Sequence, residues 1–304
     1  MEPDHPPGTA TIAGNGRGLR DGSLEGGDLS GHPAGKPVRK DEVVIEERGL
    51  YVESWLPERR SRRRPLYYLH GEMGGSWLWE QYLRYFAQRG WEGHALNLRA
   101  HFWSETAPLE ELSFDTYLED ALAGYDVLER PAVVVGHGLG GLLAMKVAEV
   151  RDVDALVLLS PAIPAPVRPV PPPHVARLVP AVYQGELIDW AGDHEHIQRQ
   201  NPDLSLDDVR RIQHLLGAES GAARRQMLAG VHVARDRLPD VPMLVIGAGL
   251  DRQFLEIDSA RLADWLAAEY QPFGAHSHYG LVTGEHGFDQ VADTIRSFLE
   301  HHRL

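Results

Sequence analysis

The 304-residue chain contains no cysteine. That excludes disulfides, zinc–thiolate centres and a cysteine nucleophile, and it fits a cytoplasmic protein. No run of about 18 apolar residues occurs, so no transmembrane helix is expected. No apolar stretch follows the N-terminus as a secretory signal would require. Positive charge is also scarce. Lysine and arginine number 30 against 44 aspartates and glutamates, a formal net charge of −14. Neither nucleic acid nor an anionic membrane is therefore expected as the main partner. One basic run opposes the trend: Arg59, Arg60, Arg62, Arg63 and Arg64. No aromatics interleave with it, so it reads as a solvated loop between strands. The remainder is ordinary globular composition, 43% hydrophobic and 24% charged, with no internal repeat. The length suits one α/β domain carrying an insertion, or two small domains.

Residues 1–40 are rich in Gly, Pro, Asp and Ser and poor in large apolar residues. Such a segment buries too little to offset its ordering entropy and reads as a disordered tail. From Asp41 onward the pattern changes. Val43–Ile45 and Leu50–Val52 around Gly49 read as a hairpin, and Leu66–Leu69 as a buried strand. A helix around Trp77–Phe86 and a weaker strand over His94–Leu98 follow. Ser113 is placed to N-cap the next helix. Ala132–Val135 is a strand that runs through a glycine-rich turn into a helix over Leu142–Val150, and Ala155–Leu159 is the next strand. Alternating strands and helices imply a mainly parallel sheet with helices on both faces. Residues 161–238 break the alternation, first with prolines and then with helical stretches over Leu206–Leu216 and Ala222–Leu228. They are expected to form an inserted helical cap. Residues 41–160 and 239–304 make the core, which resumes with a strand over Met243–Ile246 and helices over Asp258–Ala268 and within Glu285–Arg303.

The turn Gly136-His137-Gly138-Leu139-Gly140-Gly141 has two readings. As G-x-G-x-x-G between strand and helix it matches a dinucleotide-binding fingerprint, with Asp152 and Asp154 as candidate ribose acids. That acid belongs at the end of the second strand, however, and here the strand ends in Ser160-Pro161. The fingerprint also usually opens its domain, whereas here several strands precede it. The other reading rests on further landmarks. His70-Gly71 ends a strand and is followed by a Gly-Gly pair and Trp77. Arg99, His101 and Ser104 stand as in R-G-H-G-x-S, with Ala100 and Phe102 replacing its glycines. Asp251 follows a strand, and His278 precedes the final helix.

Together these residues resemble the α/β-hydrolase superfamily, over residues 41 to 304. The turn resembles its nucleophile elbow in the form Gly-His-Ser-Leu-Gly-Gly, with five of six residues present. The resemblance implies a mainly parallel α/β-hydrolase sheet with an inserted helical cap. It makes Asp251 the triad acid, His278 the triad histidine, and the N–H groups of Leu139 and Glu72 the oxyanion donors. The nucleophile position is held by Gly138, which has no side chain to form an acyl-enzyme. Gly136, Gly140 and Gly141 specify the turn, so a serine at 138 is expected to fit.

Each residue has a structural alternative. Asp251 could cap the helix after it, and His278 could be an interior histidine. The Glu72 carboxylate could be buried or exposed. His276 with His278, and His194-Glu195-His196, lack the i, i+4 spacing of a zincin motif, so no metal is expected, and no cofactor. Trp77, Trp79, Trp103, Tyr183 and Trp190 could line an apolar pocket or, for the first two, pack in the core. Three functions stay open. One is a relative of ester or thioester hydrolases acting on a small apolar or acyl-containing molecule, either nucleophile-disabled or a general-base catalyst. The second is a non-catalytic binding protein. The third is a dinucleotide-dependent oxidoreductase. Oligomeric state is not legible.

Overall fold

The computed structural model describes residues 38–59, 61–129, 131–168, 178–284 and 287–304. The tail over 1–37, Arg60, part of the proline-rich stretch, Glu285 and His286 lie outside the described residues.

The hairpin expected around Gly49 is β1 (Val38–Ile45) paired antiparallel with β2 (Leu50–Pro57). Gly49 turns the chain at φ +61°, a conformation that favours glycine. Then come β3 (Leu66–Leu69), α1 (Glu80–Gln88), β4 (Gly93–Leu96), α2 (Phe114–Asp126), β5 (Val133–His137), α3 (Leu139–Ala148) and β6 (Ala155–Leu159). The basic run falls between β2 and β3. There Arg63 stacks 3.6 Å over the Trp91 ring and Arg64 pairs with Asp154 at 3.3 Å. Ser113 caps α2, accepting the Thr116 N–H at 3.3 Å in a capping box.

After β6 the chain leaves the sheet. It forms two-residue strands β7 (Val182–Tyr183) and β8 (Glu219–Ser220), with α4 (His194–Gln200) and α5 (Leu206–Leu215) between them, then α6 (Gly221–Ala229). It returns as β9 (Met243–Ala248), α7 (Glu256–Leu266), β10 (Glu269–Phe273) and α8 (Phe288–His301). The main sheet has the order β1-β2-β4-β3-β5-β6-β9-β10, and every pair from β4 to β10 is parallel. β10 and the short β7–β8 ribbon have no counterpart in the sequence reading. The composition of β10 (Glu269, Gln271, Pro272) does not advertise a strand, and pairing with β9 decides it.

The period-2 alternation of β5 divides the core. Val133 and Val135 face the layer of α1 and α8, with Tyr82, Phe86, Ile295 and Phe298. Val134 faces the layer of α2, α3 and α7, with Tyr117, Leu142, Leu143 and Leu262. β9 does the same, Leu244 and Ile246 against Met243 and Val245. Each such side chain, fully buried, contributes about 1.5–3 kcal/mol. Two buried faces require near-continuous apolar strands, which is why β5 and β6 read as plain hydrophobic runs. Among the described residues no helix is long and apolar enough to cross a membrane.

Candidate active site

β5 ends at His137, and α3 starts at Leu139 without a loop. Gly138 alone makes the turn, at φ +54° and ψ −120°. This backbone is unfavourable for any residue with a Cβ. The sharp turn also depends on Gly140, where a Cβ would stand 2.2 Å from the Leu69 carbonyl oxygen. The elbow and the end of β3 are therefore in backbone contact, and the loop of His70, Gly71 and Glu72 lies against the turn.

Above Gly138 sits His278, from the segment between β10 and α8. A Cβ on Gly138 would lie 3.2 Å from His278 Cε1, 3.3 Å from Nε2 and 3.3 Å from the Phe254 ring. A serine there requires His278 and Phe254 to yield by a few tenths of an ångström, on a backbone already strained for it. The expected fit of a serine therefore depends on how far these two rings yield. The opposite nitrogen of His278, Nδ1, donates to Asp251 Oδ2 at 2.6 Å.

Asp251 follows β9. Its Oδ1 accepts the N–H groups of Gln253 and Phe254 at 2.7 and 2.9 Å, so it caps its own turn. The cap of α7 is Leu255, so Asp251 is not that helix's N-cap. Its Oδ2 also accepts from Ser160 Oγ at 2.6 Å. Ser160 follows β6 directly, at φ +40°, and is fully buried. Its part was missed in the sequence. Ser160-Pro161 marked only a strand end, and nothing local connects it to a carboxylate 91 positions away.

His276 does not approach the elbow. Its ring is buried, with both nitrogens unpartnered. His194, Glu195 and His196 open α4, where the exposed His196 pairs with Gln200 at 2.9 Å. Among the described residues no group of three His, Asp or Glu side chains is arranged to hold a metal.

His137 donates from Nε2 to the His278 carbonyl at 3.1 Å, with the two rings 4.0 Å apart. Burial first, and the neighbouring His278 second, hold its pKa well below the ordinary value. Burial likewise lowers His70 to about 3, with His101 adding to the effect. Its Nε2 accepts the Leu98 N–H at 3.2 Å while its Nδ1 donates to the Gly71 carbonyl at 2.7 Å. Both histidines are neutral struts, one under His278 and one under the Glu72 loop.

The Glu72 carboxylate is buried and engaged. Arg224 of α6 donates from Nη1 to both of its oxygens at 2.8 Å, and the Tyr183 hydroxyl donates to Oε1. Burial works against the Arg224 charge, but the pull of Glu72 outweighs it and raises the pKa. The next residue, Met73, adopts φ +57°. Its N–H is taken by Glu219 Oε2 at 2.9 Å and its carbonyl by the Gly217 N–H at 3.0 Å. The segment between β6 and β9 thus grips the Glu72 loop from side chain and backbone. It also grips the His278 segment, because Asp203 accepts the Ser277 N–H at 2.7 Å.

Beneath that grip lies a buried ion pair. His101 Nδ1 faces the Arg99 carbonyl at 2.9 Å and Nε2 faces Glu219 Oε2 at 3.1 Å. Both partners only accept, so both ring nitrogens carry protons and His101 is an imidazolium. Burial opposes that charge, but Glu219 overcomes it and raises the pKa. Glu219 also accepts from Tyr117 Oη and the Ser220 N–H, at 2.6 and 2.7 Å. Burial alone would push its carboxyl up; His101 and these donors bring it down to about 2. Ala100 and Phe102 hold φ +60° and +48°, the left-handed backbone that the glycines of R-G-H-G-x-S would supply.

His278 opens on a cavity of about 160 Å³, lined also by Trp190, Asn201, Arg224, Arg252 and Gln253. The lining is mainly polar, contrary to the apolar pocket expected. Of the aromatic candidates only Trp190 lines it. Tyr183 stands behind it on Glu72, Trp77 and Trp79 are core, and Trp103 is 67% exposed.

The sequence profile of the alpha/beta hydrolase family matches residues 66–294. No curated protein sequence matches the chain. Similar solved structures include a monoacylglycerol lipase of Paleococcus ferrophilus, 18% identical over 83% of this chain and 99% of that one, with a TM-score of 0.66. A bromoperoxidase of Bacillus anthracis is 15% identical over 86% and 100%, with a TM-score of 0.68. A thermophilic esterase is 18% identical over 88% and 99%, with a TM-score of 0.61. At these identities the likeness concerns the fold.

Proposed function

The chain belongs to the alpha/beta hydrolase family, and on that premise we propose that it is a hydrolase in which His278, held by Asp251, acts as general base on water instead of on a side-chain nucleophile. The observation that carries this reading is the contact of His278 with the space above Gly138. The ring nitrogen not bound to Asp251 lies 3.3 Å from where a Cβ would be. A water held there would lose its proton to His278 Nε2 as its oxygen bonds to an ester or thioester carbonyl. The carbonyl oxygen would take up charge against the N–H groups of Leu139 and Glu72. The tetrahedral species then expels the alcohol or thiol, which recovers the proton from His278. Leu139 is the first residue of α3, so its N–H has no partner within the helix. The segment over 161–238 serves as the cap, with Arg224, Tyr183, Asp203 and Glu219 tying it to both catalytic loops.

A non-catalytic binding protein is the second reading, favoured by Phe254, which closes on Gly138 as tightly as His278 does. The dinucleotide reading has less support, because His278 and Phe254 occupy the turn where a pyrophosphate would rest and the strand after it leads directly into Ser160. Initial rates on activated short esters and thioesters separate the first two. His278→Ala should cost about 10²–10⁴-fold, the usual share of a general base. Equal rates with and without His278 would favour the binding protein.

A further inference from the structure

From the two guanidiniums of the cavity we infer that this site takes a small substrate bearing a free carboxylate, anchored between Arg224 and Arg252. The inference rests on the acid–base reading of His278 only for what happens after binding. The chain is strongly acidic, at −14. Yet the charged side chains lining this cavity, His278 aside, are Arg224, Arg252 and Asp189. Arg252 is tied to Asp189 at 3.4 Å, and both are more than half exposed, so that pair is weak and readily exchanged. Arg224 is different. It is mostly buried and fixed, and both of its hydrogen bonds to Glu72 leave from Nη1. A guanidinium has further N–H donors on its other edges, and a carboxylate matches that fork.

Glu72 neutralises Arg224 but also aims it, since the pair is set in the wall that holds the candidate oxyanion loop. Asn201 and Gln253 add uncharged polar side chains, and Trp190 supplies one flat apolar side. A cavity of about 160 Å³ suits a short ligand, so a short hemiester or thioester of a dicarboxylic acid is favoured over a long acyl chain. The carboxylate would sit on the arginines and the ester carbonyl would point toward His278.

The test is binding, read without turnover. Succinate and glutarate would be titrated into the native protein by calorimetry, beside their uncharged diamides and inorganic phosphate. The dicarboxylates should bind and the diamides should not. Arg252→Gln, at an exposed position, should weaken the dicarboxylate about 5-fold or more. Glu72→Gln with Arg224→Met removes both charges together and avoids a stranded buried carboxylate. It should weaken binding by about 10–100-fold, the range for hydrogen bonds to a charged group. Dicarboxylates binding no better than diamides, or equally well without Arg224, would overturn the inference. Phosphate binding without dicarboxylate binding would overturn the carboxylate class. Retained dicarboxylate binding with no turnover of any hemiester would sink the hydrolytic reading and leave this one standing. Turnover of neutral esters without dicarboxylate binding would do the reverse.

Discussion

Glu219→Ala removes a buried charge that joins the segment between β6 and β9 to the Glu72 loop. Glu219 is fully buried and accepts four hydrogen bonds, from His101, Tyr117, Met73 and Ser220. Removing it strands an imidazolium and three neutral donors, and breaking a buried pair on one side costs about 3–5 kcal/mol. The depressed carboxyl of Glu219 points to a cost of the same order. A fall of the carboxyl from 4.5 to about 2 is worth roughly 3 kcal/mol at about 1.4 kcal/mol per unit. The signs set the window. Glu219 is depressed, so its contribution is full above 4.5 and is lost as pH falls toward 2. His101 is raised, so its contribution is full below 6.5 and is lost as pH climbs through the raised value. Both limbs describe one ion pair and are not summed. At about 2–4 °C per kcal/mol for a chain somewhat smaller than this one, Glu219→Ala should lower Tm by about 6–20 °C. The gap should be widest near pH 5.5 and should narrow on either side. Differential scanning calorimetry of native and variant protein from acid to alkaline pH measures it. A variant within about 2 °C of native at pH 5.5, or a gap independent of pH, would refute the reasoning.

Gly140→Ala should fail to give soluble folded protein, because its Cβ would stand 2.2 Å from a backbone carbonyl that cannot move without β3; normal expression and Tm would contradict this. Gly138→Ala and Gly138→Ser should each lose about 1–3 kcal/mol for the strained backbone, measured by urea denaturation, and an unchanged midpoint would contradict it. Ser160→Ala should leave the Asp251–His278 bond in place. By removing a donor to Oδ2 it should make the carboxylate a stronger acceptor and raise the apparent pKa in the pH–rate profile. A profile that does not move would show that Ser160 is merely structural.

The sheet was legible because its two-sided burial leaves a signature that survives without any tertiary knowledge, the apolar runs of β3, β5, β6 and β9. The positions of Gly138, Asp251 and His278 were legible through motif order, and the structure brings those three together. Ser160, Asp203, Glu219 and Arg224 were not. Each works through a partner tens of positions away, and a lone polar residue in a helical or proline-rich stretch carries no local mark of that partner. The polar character of the cavity was hidden for the same reason. Of the aromatic residues counted toward an apolar pocket only Trp190 lines the cavity, and polar walls come from Asn201, Arg224 and Gln253.

The central claim is that His278 activates water without a nucleophile at 138. Intact-mass spectrometry during incubation with an activated ester of a short dicarboxylic acid tests it most directly. The native chain should turn substrate over slowly with no added mass, whereas Gly138→Ser should accumulate a single acyl adduct that disappears when His278→Ala is combined with it. A native chain that itself acquires the acyl mass, on any residue and in step with turnover, would contradict the claim.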